Sequence, residues 1–138
     1  MLVTVRWSIA AEDSDLWDYL RALYAYFTVD DSEILYIGKA GRQTVRERWN
    51  RSAKEGFWDA LETERNIKEH VVRVGEIWLD EGRKLTRELL SDVETLLIKR
   101  LRPWGNIQSR LSRIPRPGLR VRCEGDWPIE RLEFRDMG

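Results

Sequence analysis

Short apolar runs rich in β-branched and aromatic residues predict strands in both halves of the chain. The polar segment Val29–Ser32 separates two of these runs, so they are expected to form a β-hairpin. Two further runs predict additional strands near the C-terminus. The predicted strands are Leu2–Trp7, Leu23–Thr28, Glu33–Ile37, Val71–Leu79, Leu119–Arg122 and Ile129–Phe134.

Apolar residues at helical spacing, several of them preceded by capping residues, predict helices between the strands. Asp13, Ser14 and Asp15 supply caps before a short first helix. Thr86 is a capping residue before the longest helix, and Pro103 stops that helix because proline has no amide hydrogen to donate. The remaining predicted helices are Thr44–Ser52, Phe57–Lys68 and, after Thr86, Arg87–Leu101.

The resulting order is β, α, β, β, α, α, β, α, followed by an irregular segment that contains proline and glycine. This order predicts a small domain of the α/β (α+β) class with a mainly antiparallel sheet. A length of 138 residues with 42% hydrophobic residues suits a single domain that spans residues 1–138.

Composition excludes several classes of protein. Cys123 is the one cysteine and His70 the one histidine, so neither an internal disulfide nor a Cys/His zinc site can form. Residues 1–10 lack the pattern of a signal peptide, and no apolar stretch approaches the roughly 18 residues of a membrane span. We expect a cytoplasmic protein that does not contact a membrane.

The charges balance at 24 basic and 24 acidic residues, but they are unevenly distributed. Residues 12–33 hold seven acidic side chains and one arginine. Residues 95–123 hold eight basic side chains and no acidic one, which is consistent with either a solvated basic segment or a phosphate-binding surface. The eight are Lys99, Arg100, Arg102, Arg110, Arg113, Arg116, Arg120 and Arg122.

Glu94 is a carboxylate at the edge of an apolar helix stripe. It lies three or four positions from Leu90, Leu97 and Ile98. A carboxylate in such a place is costly unless it is paired, solvated in a cleft or bound to a cation. Two interpretations of Glu94 therefore stay open: its carboxylate forms a salt bridge with one of the many arginines, or it binds a metal ion.

A strand–turn–helix unit surrounds Tyr36 and Gly38. Gly38 ends the strand, and the helix that begins near Thr44 directs its N-terminal amides towards the same edge. Such an N-terminus suits a phosphate, and Arg48, about one turn into the helix, can reach the same anion.

Two segments carry a resemblance to a known family. Leu35–Trp49 reads LYIGKAGRQTVRERW, and Asp92–Asn106 reads DVETLLIKRLRPWGN. Together they resemble the two halves of the GIY-YIG nuclease domain, which occurs in excision-repair incision subunits, homing endonucleases and some restriction enzymes. The resemblance implies a three-stranded central sheet flanked by helices, with further strands allowed at both termini. It also implies a core of about residues 22–106 and a basic, proline-containing C-terminal extension at 107–138.

The resemblance assigns roles position by position. Arg48 corresponds to the arginine of the first domain helix, with Arg46 as the alternative. Glu94 corresponds to the metal ligand. No Gly-Ile-Tyr motif occurs, and Tyr24 fits the first tyrosine better than Tyr26 does because it preserves the strand pattern. The implied catalytic residues are Tyr24, Tyr36, Arg48, Glu94 and Asn106, and the residues expected to contact nucleic acid are Gly38, Lys39, Arg46, Arg100, Arg102, Arg110, Arg113 and Arg116.

The function implied is metal-dependent endonucleolytic hydrolysis of duplex or branched DNA, in repair or restriction, with Mg²⁺ or Mn²⁺ as cofactor. The alternative is a catalytically inactive nucleic-acid-binding or protein-interaction module on the same fold. Because one active site cuts one strand, double-strand cleavage would need a homodimer or two successive cuts. No specificity domain is appended to the core, so we expect either loose specificity or a partner protein that supplies it.

Overall fold

The computed structural model describes residues 1–49, 53–80, 82–106 and 114–135. In these ranges six strands alternate with three α-helices, none of which is long and apolar enough to cross a membrane. The strands are β1 (Leu2–Ile9), β2 (Ala22–Phe27), β3 (Ile34–Ala40), β4 (Val71–Trp78), β5 (Arg120–Gly125) and β6 (Glu133–Arg135). The helices are α1 (Val45–Trp49), α2 (Ala53–Arg65) and α3 (Arg87–Leu101), with 3₁₀ turns at Asp15–Asp18 and Trp104–Asn106.

All six strands form one mixed sheet in the order β3-β2-β4-β1-β5-β6. The α/β (α+β) class is therefore confirmed, but the three-stranded central sheet is wrong. β1 extends the β3-β2-β4 group by pairing antiparallel with β4, and β5 then pairs parallel with β1. Only this last pair is parallel among the described strands, because the other neighbours run antiparallel.

The C-terminal segment contributes to the core as well as to the sheet. Trp127 stacks on Trp7 of β1 with ring centroids 5.3 Å apart, and its indole Nε1 donates to the carbonyl of Arg131. Phe134 of β6 is fully buried beside Trp127. The apolar face of β1 is therefore covered by residues more than one hundred positions away in the chain.

β2 is buried on both faces because each face packs into a hydrophobic cluster. Leu23 and Phe27 pack into the hydrophobic cluster that contains the buried face of α3, whereas Tyr24 and Tyr26 pack into a second cluster with Leu61 of α2. This division follows from the alternation of side chains along a strand.

Capping fixes both ends of α3. The Thr86 side chain accepts a hydrogen bond from Leu89 N at 3.1 Å, and Arg102 ends the helix with φ +49°, in the left-handed region. The buried Asp92 accepts a 2.7 Å bond from Arg116 Nε, which ties the C-terminal segment to this helix.

The buried position of Phe134 predicts that β6 is needed for stability. Phe134→Ala should lower the free energy of unfolding by about 3 to 5 kcal/mol, because it removes a fully buried aromatic ring. Leu132→Ala is the matched control, since Leu132 is 46% exposed and its loss should change stability by roughly 0.5 kcal/mol or less. Urea denaturation of both variants measures the difference. If both variants lose equally little free energy of unfolding, β6 is not needed for stability.

Candidate active site

Three tyrosines from the β2–β3 hairpin form the centre of the candidate site. Tyr26 lies directly opposite Tyr36 in the ladder, and their rings stack with centroids 5.3 Å apart. The Tyr24 ring lies 6.1 Å from that of Tyr36 and 5.8 Å from that of Tyr26. Tyr24 and Tyr26 are fully buried, whereas Tyr36 is partly exposed. Tyr36 is therefore the tyrosine of this cluster that a bound molecule reaches first.

Gly38 makes room for the Tyr24 phenol. It is the cross-strand partner of Tyr24, and a Cβ atom at position 38 would lie 2.5 Å from Tyr24 Oη. No side chain larger than hydrogen fits there while the ring keeps its place. The glycine predicted to approach a phosphate therefore also shapes the tyrosine cluster.

Glu94 projects from α3 towards β3. Its carboxylate Oε1 lies 4.0 Å from Lys39 Nζ, which also donates to Ser91 Oγ at 2.5 Å. The Glu94 side chain is only 16% exposed, and this burial raises the pKa of its carboxyl group. The nearby charges of Lys39 and Arg48 act in the opposite direction and favour the ionised form.

Arg48 rather than Arg46 joins this cluster. A capping box orients α1: Thr44 N donates to Glu47 Oε1 and Glu47 N donates to Thr44 Oγ1, both at 3.1 Å. The charge of Arg48 lowers the pKa values of both Tyr24 and Glu94, against the effect of burial.

The two arginines of α1 differ in their surroundings. The Nε of Arg48 is buried and makes no hydrogen bond to any residue in the described part of the chain. Arg46 is half-exposed and lies 3.6 Å from the carboxylate of Asp18 in the first 3₁₀ turn. A guanidinium Nε with no hydrogen-bond partner among the described residues leaves a donor that an anion can use.

Tyr24 and Tyr26 also differ in what surrounds them. Burial raises the pKa of both phenols, so both are protonated at neutral pH. The ring of Tyr26 contacts Phe57 and Trp58 of α2, and His70 stacks on Trp58 at 4.3 Å. Tyr26 therefore packs the aromatic core of this face, whereas Tyr24 lies over Gly38.

Asn106 is paired with the backbone of the edge strand β3. Its Nδ2 donates to Ile37 O at 3.0 Å and its Oδ1 accepts from Ile37 N at 2.9 Å. The amide is buried and both of its polar atoms are used. Asn106 thus holds β3, and with it Tyr36, against the 3₁₀ turn that follows α3, which makes it a positioning residue.

Members of the predicted basic segment form contacts within the protein. Arg116 is paired with the buried Asp92, and the guanidinium of Arg100 donates to the carbonyl of Arg135. Arg102 is exposed at the left-handed end of α3.

The remaining members of the segment fall into two groups. Arg110 and Arg113 lie outside the described residues. Arg120 and Arg122 are exposed on β5, and each has a glutamate carboxylate 3.5 Å away.

The tyrosines and Glu94 were all expected from the sequence, but the contacts of Lys39 with Glu94 and with Ser91 were not. Lys39 was expected to contact nucleic acid rather than Glu94, and Ser91 was not identified. Ser91 precedes Glu94 by three positions, so it lies on the same face of α3. This three-residue spacing is the feature of the sequence from which Ser91 could have been identified.

The side chains at this site suit a divalent cation that keeps several water ligands, rather than one held entirely by protein ligands. No group of three or more His, Cys, Asp or Glu side chains comes together among the described residues. Mg²⁺ is commonly held by one or two carboxylates while it keeps several waters. Glu94 is partly accessible, and the nearby cations favour its ionised form, so it offers one carboxylate of this kind.

No protein-family model, curated protein or solved structure matches this chain. Function must therefore be inferred from the residues of the cluster and their geometry.

The contact between Gly38 and Tyr24 predicts a sharp effect of a small substitution. Gly38→Ala should lower the free energy of unfolding by about 1 to 3 kcal/mol, because the added methyl group displaces a buried ring. Gly41→Ala is the matched control, since a Cβ atom there meets nothing within 4 Å. Chemical denaturation gives the stabilities, and NMR of the tyrosine ring protons reports the displacement. An unperturbed Tyr24 ring in Gly38→Ala would contradict this packing.

The raised pKa of Glu94 predicts how its substitution changes stability with pH. The folded protein holds this proton more tightly than the unfolded chain, so the carboxyl group stabilises the fold most at acidic pH. That contribution is lost as the pH rises from the ordinary glutamate pKa, near about 4.3, through the raised one. Glu94→Gln should therefore be more stable than the wild type at neutral pH, with an advantage that shrinks towards pH ~4. Thermal denaturation across pH measures this, and the exposed Glu130→Gln should show no such trend.

Proposed function

We propose that this protein is a metal-dependent endonuclease of the GIY-YIG type that hydrolyses phosphodiester bonds in DNA. The observation that carries the proposal is the burial of the Glu94 carboxylate beside Lys39 and Arg48, next to the tyrosine cluster. Phosphoryl transfer needs cations for the phosphate oxygens, a group that holds a metal, and a polar group that orients the nucleophile. This cluster supplies all three.

Arg48 is assigned to the non-bridging oxygens of the scissile phosphate. Its buried Nε makes no hydrogen bond within the described part of the chain, so a phosphate can take it as a donor without breaking a contact. A guanidinium binds a phosphate through two parallel hydrogen bonds, which fixes orientation as well as charge. Lys39 adds a second positive charge beside Glu94.

Tyr36 is assigned to the attacking water. It is the partly exposed member of the tyrosine cluster, and its phenol oxygen can accept a hydrogen bond from the water that attacks phosphorus. The attacking water gives up one proton to bulk solvent as its oxygen forms the new P–O bond, the P–O3′ bond breaks, and the 3′ oxygen takes up one proton from solvent to leave as a hydroxyl group. Tyr24, protonated because burial raises its pKa, packs beneath this water and keeps Tyr36 and Arg48 in place.

Glu94 is the residue that would hold Mg²⁺ or Mn²⁺ on the protein. When bound, such a cation neutralises charge on the leaving oxygen. The charges of Lys39 and Arg48 favour the ionised carboxylate against the effect of burial, and Ser91 holds the ammonium of Lys39 in place. Asn106 contributes indirectly, by fixing the strand that carries Tyr36 and Lys39.

Cleavage of supercoiled plasmid tests the proposal. Wild-type protein should nick the plasmid in Mg²⁺ or Mn²⁺ and not in EDTA. Glu94→Gln should reduce the rate by roughly 10²-fold or more, because it removes the negative charge assigned to the metal while keeping the side chain's size. Arg48→Ala should reduce cleavage by a similar factor with a modest effect on DNA affinity, whereas Arg46→Ala, the neighbour on the same helix, should mostly weaken binding.

Two controls separate loss of chemistry from loss of fold. Circular dichroism must show that each variant is folded, and Glu130→Gln should cut at the wild-type rate, since that glutamate is exposed and outside the cluster. DNA binding without metal-dependent cleavage would favour an inactive nucleic-acid-binding module. Neither binding nor cleavage would favour a protein-interaction module. Near-normal cleavage by folded Glu94→Gln would exclude the assigned site.

A further inference from the structure

Three arginines line a cavity of about 190 Å³ at the N-terminal end of α3. Arg21 immediately precedes β2, Arg42 follows β3 after Gly41, and Arg87 is the first residue of α3. Arg21 N donates to Gly41 O at 3.1 Å, so the start of one strand and the end of the next are joined at this rim. Spacing along the chain does not predict this cluster, because its members come from three separate segments.

No carboxylate of the described residues compensates the positive charge of this cavity. None of the described residues that line it is acidic. None of the three guanidinium groups is in an ion pair with a residue of the described ranges. Several other arginines are paired with carboxylates, as Arg65 is with Glu33.

The chemistry of the cavity favours an anion. Like charges around one cavity repel one another, so the three arginines that line it are stabilised when an anion binds among them. Leu90, which is buried, forms part of the wall, and a nearby apolar surface strengthens the interaction by lowering the local dielectric. The backbone of Arg21 has φ +52°, an uncommon conformation for a residue other than glycine.

Two elements connect the cavity to the candidate active site. Arg87 precedes Glu94 by seven residues on α3, which places both on the same face about 10 Å apart at 1.5 Å per residue. Arg21 precedes Tyr24 by three residues at the start of β2, again about 10 Å at 3.3 Å per residue. Each nucleotide advances a DNA strand by about 3.4 Å along the helix axis and also around it, so this separation spans at most about three nucleotides.

We propose that this cavity binds a backbone phosphate of the same DNA strand that is cut, within about three nucleotides of the scissile phosphate. The inference rests on the proposed nuclease function and extends it with a second contact point. Two phosphates held at fixed positions set the direction of the strand across the tyrosine cluster. Because only the backbone is held, the contact positions DNA without reading its sequence.

Salt dependence of DNA binding tests this inference. Binding of a short labelled duplex is followed by fluorescence anisotropy over a salt series, with Ca²⁺ in place of Mg²⁺ to suppress cleavage. Each phosphate that a protein neutralises contributes about −0.9 to the slope of log K against log salt. In the variant Arg21→Gln/Arg42→Gln/Arg87→Gln one phosphate is no longer neutralised, so the slope should be less steep by about one. Affinity for duplexes of unrelated sequence should fall by the same factor.

A charge-matched control distinguishes a site from a general loss of positive charge. Arg6→Gln/Lys68→Gln/Arg131→Gln removes three exposed cations that line neither the cavity nor the Glu94 cluster. Its slope should stay at the wild-type value. If the triple variant of the cavity is unstable, Arg21→Gly serves instead, because glycine accepts the left-handed conformation at that position.

The outcomes separate this inference from the proposed function. Wild-type protein that cuts plasmid, combined with an unchanged slope in the cavity variant, would overturn the phosphate contact and leave the nuclease proposal intact. If the slope of log K against log salt becomes less steep by the same amount in the cavity variant and in the control, the phosphate contact is also overturned. A wild-type protein that binds DNA without cutting it would contradict the nuclease proposal. The salt-dependence slopes would still show whether the cavity binds a phosphate. No binding by the wild type would reject both.

Discussion

The pairing between the Asn106 amide and the Ile37 backbone holds the two halves of the candidate site together. β3 is the edge strand of the sheet, so Ile37 presents a free N–H and C=O away from β2. A primary amide satisfies both groups at 2.9 and 3.0 Å, as another strand would. Because Asn106 follows α3 closely, this pairing sets how that helix lies against β3. The separation between Glu94 and Lys39 depends on it.

The site carries an electrostatic cost that the fold offsets only in part. Burial disfavours the ionised form of Glu94, and the charges of Lys39 and Arg48 reduce this effect without removing it. Arg48 in turn keeps a buried donor unused by the described protein. A buried carboxylate and an unpaired buried donor lower the stability of the folded state unless a ligand binds to them. Such a loss of stability is common at sites whose activity requires these groups. A cation at Glu94 and a phosphate at Arg48 would satisfy both groups at once.

The positive surface of this protein depends on which basic residues form ion pairs, and the number of basic residues in a segment does not predict it. The basic segment after α3 looks in the sequence like a continuous positive surface. In the fold, Arg116 reaches back to the buried Asp92 and the arginines of β5 have glutamate neighbours. Arg21, Arg42 and Arg87, which line one cavity, form no ion pair within the described residues. A chain with no net charge can therefore present a locally positive surface.

The sequence by itself determined which segments are strands and helices, because those preferences are local. The alternation of β2, the Thr86 cap and the stop at Pro103 all act within a few residues, and the predicted elements match β1 to β4 and α3 closely. Tyr36 and Glu94 could be identified for the same reason, since each lies at a fixed place on its own element. Only the tertiary structure decided that six strands form one sheet, that Arg48 rather than Arg46 faces the tyrosines, and that three distant arginines meet. Those outcomes depend on which elements pair and pack across long separations, and spacing along the chain does not encode that choice.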